Sequence, residues 1–131
     1  IESEACVIGN NSALSKDPEK GILAEKFVEI IHAHKRSEEY FIVTSNMRSE
    51  SADILGKNLL QRPVIQGLSG PTISKVYTKD SVAWFSVTVV VERNQLMEAI
   101  SNLREMGASA ITVSQPNYVF QSDCEIREPN G

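Results

Sequence analysis

Val82-Ala83-Trp84-Phe85-Ser86-Val87-Thr88-Val89-Val90-Val91 is the densest run of β-forming residues in the chain. Alternate residues of a strand point to opposite faces. Phe85, Val87, Val89 and Val91 therefore form one apolar side, and Trp84, Ser86, Thr88 and Val90 form the other. Such a strand packs one side on a core and leaves the other open. The same alternation recurs outward from this run. A strand is predicted from Thr72 to Tyr77, with Thr72 and Ser74 on one side. Another is predicted from Tyr40 to Ser45, and Thr44 and Asn46 share a side near it. A fourth runs from Ala110 to Ser114, where Ile111 and Val113 oppose Ala110, Thr112 and Ser114. Tyr118-Val119-Phe120 extends it beyond Pro116.

Two amphipathic helices lie between these strands. One is expected over 49–61, with Ser49 as cap and Ala52, Leu55 and Leu59 on one face. The other is expected over 94–106, with Leu96, Ala99, Ile100 and Leu103 in register and Gly107 just past its end. Gln66–Pro71 is a Gly/Pro loop, and Lys79-Asp80-Ser81 suits a hairpin connection. The order β-α-β-β-α-β over 39–121 is the ferredoxin-like signature, an α+β fold with one antiparallel sheet and both helices on one face. Upstream, Asp17-Pro18-Glu19 is a strong helix start. A long connector helix follows at 18–36, carrying Leu23, Phe27, Ile30, Ile31 and His34 at helical spacing. Ala5-Cys6-Val7-Ile8-Gly9 reads as a short strand whose pairing partners lie elsewhere. The expected organisation is an end of a preceding part plus connector at 1–37, a ferredoxin-like domain at 38–122 and a polar tail at 123–131. A start at Ile1, without Met or a signal-peptide pattern, suggests a piece of a longer protein.

Composition narrows the function. The chain has 131 residues, 41% apolar and 23% charged, an ordinary globular balance. A net charge of −4 gives no general field for phosphate backbones or anionic lipid, so neither nucleic acid nor membrane is an expected partner. Cys6 and Cys124 lack metal-ligand spacing and read as free thiols of a reducing compartment. No catalytic constellation and no metal set is apparent. His32 and His34 sit two apart on a helix and point to different faces. Glu38-Glu39 reads as a solvated pair at a strand entrance. Gly67-Leu68-Ser69-Gly70-Pro71-Thr72 enters a strand rather than a helix, so it lacks the helix N-terminus that holds phosphate. It is either a plain tight turn or a backbone wall beside the open face.

The open face carries the functional question. It is either solvated or a surface that docks a partner sheet or a small polar ligand. Short hydroxyls suit the second use, because they offer hydrogen bonds without filling space. An RNA-recognition motif shares the strand order but needs stacking aromatics and basic residues there. On this face only Trp84 is expected to stack, and the charge is negative.

Several motifs resemble one family in order and spacing. They are Gly70-Pro71-Thr72-Ile73-Ser74 and Leu103-Arg104-Glu105-Met106-Gly107-Ala108-Ser109-Ala110-Ile111-Thr112-Val113-Ser114. With Glu2-Ser3-Glu4-Ala5-Cys6-Val7-Ile8 they look like the C-terminal regulatory part of a long-form ATP phosphoribosyltransferase, the first enzyme of histidine biosynthesis. Asn46-Met47-Arg48, Gly67-Leu68-Ser69-Gly70-Pro71-Thr72 and Tyr118-Val119-Phe120 look most like the plant versions.

The resemblance implies a parent enzyme that joins ATP and phosphoribosyl pyrophosphate, using magnesium, with all catalytic residues upstream. No catalytic residue, metal ligand or cofactor is expected in this segment. It implies L-histidine as feedback effector, contacted at positions matching Asn46, Leu68, Gly70, Thr72, Val90 and Ala110. It further implies the catalytic part of the same enzyme as partner, a homo-oligomer of dimers assembling to a hexamer, and a chloroplast location, with cytoplasm as the alternative. Thr112 departs from the family's usual aliphatic residue before the valine, which implies a changed pocket polarity. The competing expectation is a structural oligomerisation module that binds no effector.

Overall fold

The structure is a computed structural model that describes residues 16–120. The strand expected at 5–9, both cysteines and the tail from Asp123 lie outside the described residues. The described residues fall into two compact units, Ser37–Asn117 and a smaller one made by 16–36 with 118–120.

The smaller unit is built on helix α1, Pro18–Ser37. Asp17 starts it: its Oδ1 accepts from the Glu19 and Lys20 amides at 3.1 and 3.4 Å. This satisfies donors that the first helical turn leaves without partners. Tyr118-Val119-Phe120 does not extend the last strand, contrary to the sequence expectation. Pro116 lacks the N–H a ladder requires. The Val119 amide instead donates to the Ala33 carbonyl at 2.9 Å, and Arg36 Nη1 donates to the Val119 carbonyl at 3.2 Å.

The larger unit runs β1 (Tyr40–Arg48), α2 (Ala52–Leu60), α3 (Pro63–Gln66), β2 (Thr72–Val76), β3 (Trp84–Glu92), a 3₁₀ turn (Arg93–Gln95), α4 (Leu96–Glu105) and β4 (Ser109–Ser114). The sheet order is β2-β3-β1-β4, and every pairing is antiparallel. This is the ferredoxin-like arrangement of an α+β fold. Alternation along β1 and β3 buries Val43, Met47, Phe85, Val87, Val89 and Val91. They share a core with Leu55 and Leu59 of α2, Val64 and Ile65 of α3, and Ala99 and Leu103 of α4. The helices therefore cover one side of the sheet. Ser45 is the polar exception: it is fully buried, and its hydroxyl has no partner among the described residues.

Element ends follow local chemistry. The cap of α2 is Ser51 rather than Ser49. Ser51 accepts from the Ile54 amide at 3.2 Å from an extended backbone. Ser49 remains tied to the sheet through its amide and the Ala83 carbonyl, so the helix starts later than its sequence suggests. Helix α3 lies between the helix predicted to 61 and the Gly/Pro loop at Gln66–Pro71, where the sequence predicts no element, and Pro63, with its fixed φ, opens it. The end of α4 is a Schellman motif. Ala108 N donates to Leu103 O at 2.9 Å, Gly107 N donates to Arg104 O at 3.0 Å, and Gly107 has φ +87°.

Gly67 is the tightest point. Its backbone sits at φ 55°, ψ −149°, which is open only to glycine, and an added Cβ would lie 2.2 Å from the Val90 carbonyl oxygen. Gly56, inside α2, has only Ile73 Cδ1 near its Cβ position, at an ordinary 3.5 Å. Gly67→Ala should therefore lower unfolding stability by about 1–3 kcal/mol or more. Gly56→Ala should raise it by about 0.5–1 kcal/mol. Urea unfolding of the two variants checks the opposite signs.

Candidate functional site

The side of the sheet opposite these helices is an ordered array. Register places Thr72, Thr88, Thr44 and Thr112 in one row across all four strands. The next row is Ser74, Ser86, Asn46 and Ser109. Thr44 Oγ1 and Thr88 Oγ1 lie 3.2 Å apart, sharing a hydrogen bond at the centre. Thr112 Oγ1 donates to Thr44 O, and Ser109 Oγ donates to Asn46 O, both at 3.4 Å. The sequence alternation thus places its hydroxyls on the face opposite the helices. Val90 and Ile42 form a third, apolar row closed by Ser114.

Aromatic residues sit at both ends of this face. Trp84 pairs with Arg48, whose guanidinium lies 4.6 Å from the ring centroid, and its Nε1 donates to Asp80 Oδ2 at 3.1 Å. Tyr40, passed over in the sequence reading, has the same alternation and sits opposite Glu92. One ring already covered by arginine and another beside a carboxylate do not make a nucleobase platform.

The six residues singled out from the resemblance divide into two groups. Leu68, Gly70, Thr72 and Val90 gather at the β2 side. There the Leu68 amide donates to Val90 O at 2.9 Å and the Gly70 amide to Gln66 O at 2.7 Å. Gly70 has φ +90° with open space at its Cβ position, and Leu68 is 53% exposed. Asn46 and Ala110 lie on β1 and β4. Thr72 is two strands and two residues from Asn46, which is about 12 Å at ordinary strand spacings. Val90 is two strands and four residues from Ala110, about 16 Å. One chain does not bring the six together. Two open cavities, of about 430 and 540 Å³, are lined by Glu38, Glu39, Tyr40, Glu92, Arg93 and Asn94, and by Arg48, Ser49, Glu50, Ser81, Val82 and Ala83. None of the six lines either.

Sequence reasoning could not see the bulge that sets Ala110. Between Thr44 and Asn46 the β4 strand carries one residue more than β1, and Ala110 takes φ +52°. It is the one non-glycine residue with positive φ among the described residues. The bulge is what lets Ser109 and Thr112 both turn their hydroxyls to β1 carbonyls. Among the described residues no group of three or more His, Cys, Asp or Glu side chains is placed to hold a metal ion, and no helix is long and apolar enough to cross a membrane.

Residues 37–117 match the family described as HisG, C-terminal domain. This match covers more than half of the chain and coincides with the larger compact unit. The chain belongs to that family. It is similar to ATP phosphoribosyltransferase 1, chloroplastic, of Arabidopsis thaliana, with 33% identity over 129 residues, 94% of this chain and 31% of the relative. It is 30% identical to ATP phosphoribosyltransferase 2, chloroplastic, of the same plant, over the same shares. It is 29% identical to an ATP phosphoribosyltransferase of Corynebacterium jeikeium over 83% of this chain and 34% of that protein. The chain thus spans about a third of the length of the curated relatives it matches.

Positive φ strains a residue that carries a Cβ, most of all a β-branched one. Ala110→Val should therefore destabilise the protein by about 1–3 kcal/mol. Ala110→Gly should not destabilise it, the reverse of the usual cost of glycine in a strand. Thermal unfolding of the pair checks this.

Proposed function

We propose that this chain is the histidine-sensing C-terminal domain of an ATP phosphoribosyltransferase. The parent enzyme would join ATP and phosphoribosyl pyrophosphate, with magnesium, to give phosphoribosyl-ATP and pyrophosphate, the first step of L-histidine biosynthesis. The catalytic part would be a partner in the same polypeptide. The names of the two Arabidopsis relatives support a chloroplast location.

The observation that carries the sensing role is the division of the six positions on one uncovered, hydroxyl-rich face. A free amino acid is too short to span about 16 Å between Val90 and Ala110. It can touch both groups if two copies of the domain meet, one supplying Leu68, Gly70, Thr72 and Val90 and the other supplying Asn46 and Ala110. The effector then sits at a contact between sheets. Its affinity depends on quaternary arrangement, which is the requirement for feedback control. A coupling of about 1–3 kcal/mol is typical. Assembly of dimers into a hexamer would supply such contacts. The side chains of Thr72 and Asn46 make no hydrogen bond among the described residues, so both are available to a ligand.

Titration calorimetry with L-histidine tests the reading. The parent protein should bind histidine, and Thr72→Ala should weaken binding by about tenfold with unchanged unfolding stability. Absence of histidine binding by the oligomeric parent enzyme would leave the domain as an oligomerisation module without an effector.

A further inference from the structure

The six positions of the proposed sensor site are all uncharged, yet the effector is a zwitterion. Its α-ammonium group is cationic throughout the physiological range and needs an acceptor if it is to leave water. The face supplies one carboxylate in phase with the site. On β3, Thr88, Val90 and Glu92 point the same way, because residues two apart share a side. Thr72 pairs with Thr88, so Thr72 and Glu92 bracket Val90 from opposite ends. Thr88 and Glu92 are separated by about 13 Å along the strand. Val90 lies midway between them, two residues or about 7 Å from each along the strand.

Among the described residues no ion pair and no hydrogen bond uses the Glu92 side chain. Its sequence neighbour Arg93 lines the same cavity but is engaged by other groups. The Arg93 guanidinium lies 4.7 Å from the ring centroid of Phe41, which packs on the core side, and its Nε donates to Glu38 O at 2.6 Å. No ion pair joins Arg93 to Glu92 among the described residues. Opposite Glu92 stands Tyr40, and the two line the cavity of about 430 Å³ where the open face ends.

We infer that Glu92 is a specificity-determining residue of this site, accepting the α-ammonium group of the effector while Thr72 holds its other end. The inference rests on the sensing role proposed above. It makes the site select for an amino acid over an imidazole compound that lacks the amino group.

The test is calorimetry on the intact protein with two ligands, L-histidine and its des-amino analogue 3-(imidazol-4-yl)propionate. Glu92→Gln should weaken histidine binding about tenfold or more, as for loss of a charge-assisted hydrogen bond. It should leave binding of the analogue unchanged. Glu38→Gln should leave both unchanged. Equal losses for both ligands, or full histidine affinity in Glu92→Gln, would overturn the assignment. If Thr72→Ala loses histidine while Glu92→Gln keeps it, the sensing role stands and the role of Glu92 falls. If the unsubstituted protein binds no histidine, both fall.

Discussion

The two-residue alternation of the central strands β1 and β3 is the constraint on which the structure depends. Val43, Val87, Val89 and Val91 are at most 1% exposed, on the side the helices cover. Each buried valine favours this register by about 1.5–3 kcal/mol relative to exposure. A one-residue slip would send all of them to water and turn Thr44, Ser86 and Thr88 into the core. The core therefore fixes the position of every hydroxyl on the other side. The threonine row is a consequence of hydrophobic packing as much as a feature of a surface.

The edges of the sheet set the two groups of residues apart. On the β2 side, Gly67 lets the loop approach the β3 backbone closely enough for Leu68 to bond Val90. On the β4 side, the bulge shifts the pairing by one residue and sets Ala110 at positive φ. Both are unusual backbone conformations: Gly67 adjoins Leu68, and Ala110 is itself one of the six positions that the family resemblance singles out. Strain of this kind persists where surrounding structure over-determines it, and it clusters at binding sites.

Much of this was legible in the sequence. The valine-rich run from Val82 to Val91 gave away the central strand, and the alternation of Thr44, Asn46, Thr72, Ser74, Ser86 and Thr88 gave the composition of the open face. The ends of α2 and the existence of α3 were not legible. Ser49 and Ser51 are equally good caps on propensity, and only the sheet bond of Ser49 decides for Ser51. The fate of Tyr118–Phe120 turned on an aromatic and backbone contact with α1 rather than on strand propensity. The division of the six positions into two groups was invisible for a different reason. Spacing in sequence identifies residues that share a face, but not how many strands separate them.

The central claim is that the effector lies between two copies of this sheet, each contributing one group of residues. Complementation measures this directly. Thr72→Ala and Asn46→Ala variants, each weak in binding histidine alone, are dissociated, mixed and reassembled, and histidine binding is titrated. A shared site predicts that mixing restores a tight-binding fraction, because some contacts pair an intact Thr72 from one copy with an intact Asn46 from the other. A mixture that binds no better than its components would contradict it.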